Sequence, residues 1–302
     1  MNNIGIKQNE PKQLERLAAQ RELYSSAKRI LAIQIFTTVL LPIVLSAYAF
    51  LKPNIAPYAA CYGLFTTLFN ILILEKIIKN RREEAAKIQE LFDCDVLVLE
   101  KSPYKIIDDV TVEKILFHYK AHSKIATNIE KIKDWYPKNI QNLPLHIARI
   151  ICQRENCWWD GDLRKRYAKF LIILSVFLFI AIIFFAVMNN LKFIDLVLLS
   201  SALFPIFQFS IKQIDEHNVA AKKLDELIKN AENLWNISLA QNVSEEVMTE
   251  KSRRLQDEIF EHRSKSPLIL DFIYNWLRNK NEDLINGSTE KRLQDAKAKG
   301  FE

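Results

Sequence analysis

The sequence predicts a mainly α-helical integral membrane protein, with four transmembrane helices in two hairpins and a helical region, or a small α+β one, outside the lipid. Three observations predict it. Apolar runs of spanning length alternate with densely charged stretches, they come in pairs joined by short links, and basic residues crowd one end of each run. Glycine is scarce, 5 in 302 residues, which favours helices over Gly-rich phosphate loops. No GxGxxG, Walker-type or GxSxG run is present.

The least ambiguous element is Tyr167–Met188, whose every face is Leu, Ile, Phe, Val or Ala apart from Ser175 and Met188. A soluble core helix would keep polar residues on one side. Before it, residues 1–29 form an amphipathic segment with Leu14, Leu17, Ala18, Arg21 and Tyr24 at helical spacing, read as an interfacial or docked helix. Ile30–Leu51 is the first span. Ala47-Tyr48-Ala49 resembles a leader cleavage site, but the apolar run is too long for a signal peptide, so an uncleaved helix is expected. Lys52-Pro53-Asn54 breaks the chain before the second span, Ile55–Leu74, which completes a transmembrane hairpin over 30–75.

The insertion 76–166 is too large for a loop. Its start, Arg81–Phe92, has helical periodicity; Cys94–Leu99 (CDVLVL) is apolar and β-branched, a strand candidate; Thr111–His122 and Leu145–Cys152 read as helices separated by breaks at Tyr136-Pro137 and Leu143-Pro144. The second hairpin, 167–211, links Met188 through Asn189-Asn190-Leu191-Lys192 to Phe193–Ile211, the least regular span because Asp195 lies near its start. In the C-terminal region, 212–302, Lys212–Asn233 continues as an amphipathic helix, Ser244–Arg263 opens a charged one, Pro267–Leu277 is apolar and aromatic, and the stretch after Asn286-Gly287 is expected to be disordered or a loose helix.

The net charge of +6 and pI near 9.0 are explained by the flanks of the spans. Lys28, Arg29, Lys76, Lys79, Arg81, Arg82, Arg164, Lys165, Arg166, Lys169 and Lys212 fall on one side, against Lys52 and Lys192 in the two short turns. This places both termini and the insertion in the cytoplasm. A nucleic-acid polymer is not expected as partner; the lipid bilayer is.

Candidate chemistry is thin. The four cysteines, Cys61, Cys94, Cys152 and Cys157, are scattered and suggest neither a disulfide framework nor a zinc site. His118 and His122 stand one helical turn apart as two metal ligands would, without a third ligand at matching spacing, so neither a metal site, a cofactor nor a catalytic residue is assigned. A Cys–His hydrolase stays open as an alternative, as does a membrane scaffold. The densest polar run, Cys152 to Arg166, holds Arg154, Trp158, Trp159 and Arg164; arginine forks and tryptophan faces suit a nucleotide-like ligand, and equally an interfacial Trp belt with local ion pairs. Inside the spans, Gln34 and Thr38, Thr67 and Asn70 with Thr66, and Ser201 and Gln208 with Pro205 form polar stripes, as pore lining or as interhelical hydrogen bonding.

Several stretches resemble the SMODS-associated four-transmembrane effector family: Asn3-Ile4 with Gln8-Asn9, Leu17 to Arg21, Tyr24 to Lys28, Asp134-Trp135-Tyr136-Pro137, Cys152-Gln153-Arg154 with Trp159-Asp160, and Leu255-Gln256-Asp257 with Ile259-Phe260 and Arg263. They run over most of the chain and mark the family rather than a reaction. The resemblance implies a pore-forming effector of bacterial anti-phage defence built around cyclic-oligonucleotide signalling, held inactive at the inner membrane. A cyclic oligonucleotide is then the expected ligand. A four-helix monomer packs its own centre, so conduction calls for a homo-oligomer. On this reading Arg164–Lys169 and Lys212–Leu227 transmit the signal to the second hairpin.

Overall fold

Four long helical rods set the architecture, and the computed structural model describes them within residues 2–105, 107, 109–240 and 243–301. After a short α1 (Ile4–Lys7), the first rod runs from Pro11 to Ala49: α2 (Pro11–Ile35), a π-helical turn at Phe36–Leu40, then α3 (Leu41–Leu51). The second runs from Ala56 to Val96 through α4 (Ala56–Phe69), a π turn at Asn70–Leu74 and α5 (Glu75–Val96). Two short helices, α6 (Val112–His122) and α7 (Ala126–Glu130), precede the other rods, α8 (Leu145–Met188) and α9 (Phe193–Ser238). α10 (Glu245–Lys265) and α11 (Asp271–Ala298) close the chain.

Three rods are long and apolar enough to cross a membrane, and almost nothing of their apolar windows is buried by the protein itself. α9 makes a fourth if its arms Phe193–Ser201 and Leu203–Ser238, inclined by 51°, are one broken span. Pro205 explains the bend: it offers no N–H to the Ser201 carbonyl and its ring crowds that carbonyl. Pro42 acts likewise just after the first π turn, where the ladder widens by a residue rather than leave the Thr38 carbonyl strained.

α8 and α9 lie antiparallel: Arg154 meets Glu232, Gly161 meets Leu224, and Arg164 meets His217. Around their polar halves α2, α5, α6 and α10 assemble a helical body with one main core, including Leu17, Phe92, Tyr136, Ile147 and Ile151, each no more than 1 % exposed. The N-terminus is stapled into it. Asn2 Nδ2 donates to the Ile140 and Leu143 carbonyls, 2.8 Å each, and Gln8 exchanges hydrogen bonds with the Tyr136 backbone at 3.0 and 2.6 Å. The first segment is therefore docked, with Leu17 and Ala18 fully buried.

Two expectations are corrected. Cys94–Leu99 is no strand, and no strand occurs among the described residues. Cys94 to Val96 finish α5, and Val98 takes φ +53° as the helix ends, with the Leu99 N–H donating back to the Cys94 carbonyl at 2.9 Å. This is a left-handed helix cap without the usual glycine. Buried Arg149 of α8 holds it, donating to the Leu97 and Val98 carbonyls at 2.8 and 3.0 Å. The apolar run is needed because both sides of a helix end are covered, not because a sheet forms. The C-terminal stretch is likewise a docked helix rather than a disordered tail: α11 continues to Ala298, and Thr289 and Ala296 are fully buried.

A Cβ on Gly161 would lie 3.5 Å from Leu224 Cβ, an ordinary contact. Gly161→Ala should therefore raise stability by up to about 1 kcal/mol through helix propensity. Gly161→Leu should cost about 1–3 kcal/mol by forcing α8 from α9. Thermal unfolding in detergent micelles reads both.

Candidate functional site

On α5, Glu90 and Asp93 sit one turn apart, 1 % and 0 % exposed, in the middle of the helical body. Carboxylates this deep need counter-charges. α10 provides them from one face: Arg263 Nη1 reaches Asp93 Oδ2 at 2.5 Å, Arg253 Nη2 reaches Glu90 Oε1 at 2.6 Å, and Gln256 Nε2 donates to both, at 2.8 Å to Glu90 and 3.0 Å to Asp93. The Tyr136 hydroxyl donates to Asp93 Oδ1 at 2.6 Å and accepts from Asn156 Nδ2 at 2.9 Å. Gln153 of α8 donates to the Gln256 amide oxygen at 3.1 Å. Burial pushes the Glu90 carboxyl up, opposed by Arg253. It would likewise depress Arg263, but the charge and hydrogen bond of Asp93 hold that guanidinium above its ordinary value. The network ties α5, α8, α10 and the Tyr136 loop into one unit.

The dispersed stretches noted in the sequence converge here. Gln8 holds the Tyr136 backbone, Asn9 Nδ2 donates to Asp134 Oδ1 at 2.8 Å, Gln153 meets Gln256, and Arg263 meets Asp93. Sequence reasoning passed over Glu90, Asp93 and Arg253 because charged residues on amphipathic helices read as a solvated face. A signal was available: Glu90 and Asp93 bracket Leu91-Phe92 on a helix whose apolar residues Ile88, Leu91, Phe92 and Val96 recur at helical spacing.

Of the four residues assigned to a ligand, Arg154 and Arg164 are both occupied by protein groups. Arg154 shares Glu232 with Arg292 of α11, at 2.5 and 2.6 Å. Arg164, 6 % exposed, pairs with Asp160 at 3.0 Å, donates to the Pro267 carbonyl at 2.9 Å and meets His217 Nδ1 at 3.2 Å. Burial, then Arg164, brings His217 down to about 3, so a neutral imidazole accepts from the guanidinium. Trp158 and Trp159 are half-buried, and Trp159 lies 6.3 Å from the Tyr274 ring. A surface groove of about 320 Å³ lies between residues 139–143 and the end of α11, with Asn139, Asn142, Gln294 and Lys297 among its walls, and none of the four lines it.

In the apolar zone, the hydroxyls of Thr38, Thr67 and Ser201 each return to a carbonyl one turn back, on Gln34, Gly63 and Val197, at 2.7–2.8 Å. Thr67, Ser201 and Gln208 are exposed, Gln34 half-buried, and Asn70 Nδ2 faces Glu75 at 3.5 Å. Missed from sequence was Tyr62, whose hydroxyl crosses to the Thr37 carbonyl at 3.0 Å, at the π turn.

Burial pushes the Cys94 and Cys157 thiols up to about 12 and Cys152 well above its ordinary value, so all three stay protonated, the wrong state for a nucleophile. His122 faces Glu22 at 3.8 Å and His118 packs edge-on to Phe117; no group of three His, Cys, Asp or Glu side chains among the described residues converges to hold a metal ion.

The family model described as the SMODS-associating 4TM effector domain matches residues 2–292. A probable CBASS effector molecule of Bacillus cereus (strain VD146) is 30 % identical over 287 residues, covering 92 % of this chain and 93 % of that protein. No solved structure matches significantly.

Arg263→Met should leave the Asp93 carboxylate buried and unpaired, lowering stability by about 3–5 kcal/mol, and adding Asp93→Asn should recover most of it. Thermal melts of the two single variants and the double close that cycle. Burial pushes Glu155 up to about 7 from its usual 4.5, against Thr289, Arg154 and Arg292. The folded state thus keeps a proton that the unfolded chain releases, and stability falls as pH rises through that window. Glu155→Gln should remove this slope, gaining on wild type between about pH 4.5 and pH 7 in melts across that range.

Proposed function

The chain belongs to the SMODS-associating 4TM effector family, and from that premise we propose that this CBASS effector acts by opening the bacterial inner membrane, as a homo-oligomer, when a cyclic oligonucleotide or a signalling partner acts on its cytoplasmic body. In this reading the four rods cross as two hairpins, over 30–75 and 167–211. Both termini and the insertion 76–166 face the cytoplasm.

The observation that carries the reading is the continuity of the rods. α8 spends its first half, from Leu145, in the helical body and its second half, to Met188, as exposed apolar surface, without a break between them. A change in how the body packs is therefore a rotation or tilt of the apolar half, since a helix transmits torque along its hydrogen-bonded ladder. The apolar halves bury little of themselves, leaving surface for lipid in one state and for other copies in another. Polar side chains such as Thr67, Ser201 and Gln208, outward-facing in the single chain, would line the conducting path between copies. The protonated, buried cysteines argue against the hydrolase alternative.

Co-expression with a cyclic-oligonucleotide synthase should depolarise cells, read with a potential-sensitive dye, and Cys94→Ala with Cys152→Ala and Cys157→Ala should retain the effect. An unchanged potential, with the protein inserted in the membrane fraction, would overturn the pore.

A further inference from the structure

We propose that the segment 264–273, from the last turn of α10 into the first turn of α11, is a strap that clamps the two apolar hairpins together where they emerge from the lipid, and that its release is the conformational step of activation. The inference rests on the pore reading above and names its regulation.

The strap touches all four rods. α10 ends because Ser266 and Pro267 leave the helical conformation, and α11 does not begin until Asp271, so the backbone between is extended and its carbonyls are free to be used from outside. Arg82, from the second rod, donates to the Ser264 and Ser266 carbonyls at 2.9 and 3.2 Å. Arg164, from the third, donates to the Pro267 carbonyl at 2.9 Å. His217, from the fourth, faces the Leu268 backbone and Arg164 together. Lys28, from the first, donates to Asp271 at 2.6 Å. These positions are the ones where each rod passes from charged to apolar sequence.

The strap's side chains divide in the same way. Leu268 packs with Ala27 and Ile78, the exits of the first hairpin. Ile269 and Ile273 pack with Leu163, Tyr167 and Leu171, the exit of the second. One short segment therefore fills the seam between the hairpins with a leucine on one side and isoleucines on the other. The hairpins also touch through α9 against α3 and the neighbouring π turn, and through Lys212 of α9, 3.9 Å from Glu75 of α5.

The clamp is built to let go. Arg21 and Lys28 both lie over the Tyr274 ring, at 5.3 and 5.5 Å, so two like charges share one aromatic partner. Lys28 is the more buried partner of its pair with Asp271, at 16 % against 47 % exposure. Without Asp271, Lys28 loses its ion pair and is left beside the like charge of Arg21 on the same helix, which removes the first rod's charged hold on the strap. A carbonyl that leaves Arg82 or Arg164 is rehydrated at once, so detachment leaves no orphaned strap acceptor.

The test places spin labels on the exits of the two hairpins, Lys79→Cys and Lys169→Cys, in full-length Cys61→Ser protein in lipid nanodiscs. Cys94, Cys152 and Cys157 are buried from the label. Asp271→Asn, alone and with Leu268→Ala, should lengthen or broaden the distance distribution by about 5 Å, the size of a one-turn ratchet. An unchanged distribution in both variants, with melting and helicity close to the parent, would overturn the strap. The single variant changes one half-exposed carboxylate and guards against a folding failure of the double. Carboxyfluorescein release from phosphatidylethanolamine–phosphatidylglycerol vesicles separates the two readings. Longer distance with intact vesicles supports the strap and overturns the pore; leakage at unchanged distance overturns the strap and leaves the pore.

Discussion

A helix of about forty residues is roughly twice as long as the hydrocarbon of a bilayer is thick, and each rod of this protein is that long, from 39 residues for Pro11–Ala49 to 46 for α9. Most of the architecture follows from that mismatch. A rod with one apolar, exposed half must pack its polar half elsewhere, and the polar halves of the four rods, brought side by side with α6 and α10, make one helical body. Body and membrane region are then coupled by covalent helix rather than by an interface.

The body meets the opposite difficulty, since its apolar core also has to take in carboxylates that cannot stay unpaired there. Buried Glu90 and Asp93 pair with half-buried Arg253 and Arg263, with Gln153, Gln256 and Tyr136 taking up the remaining hydrogen-bonding positions. Such a network adds little stability over a well-packed apolar one, but it tolerates no misalignment, because each charge out of register is left unpaired in low dielectric. Its members come from α5, α8, α10 and the Tyr136 loop, the parts whose relative angle would set the tilt of the rods. Rigidity there and looseness at the strap is a workable division for a switch. Movement is confined to extended backbone whose acceptors water can satisfy, while the buried pairs keep the lever stiff.

The apolar periodicity of Tyr167–Met188 needs no tertiary context, because a twenty-residue stretch with no polar face has one stable solvent. The apolar runs, the helices from Thr111 and Ser244, and the family resemblance were legible for the same kind of reason: they are local patterns, and both capping side chains do accept from the third residue of their helices. Cys94–Leu99 was misread because β-branched apolar residues serve a strand and a doubly covered helix end equally well. The end of the chain reads as either a disordered tail or a loose helix because its polar composition hides Thr289 and Ala296, whose burial makes it a docked helix.

By itself, then, the sequence determined that this is a helical membrane protein of a defence-effector family, where its apolar runs lie, and which ends are basic; that Leu145–Cys152 and Tyr167–Met188 are one helix came from the structure. Only the tertiary structure decided that Asp93 and Glu90 are interior, that Arg154 and Arg164 are already engaged by protein groups, and that one segment between α10 and α11 reaches every rod. The physical reason is that a charge's role depends on what lies opposite, and the strap's grip is made largely by backbone carbonyls, which every residue has and no sequence pattern marks.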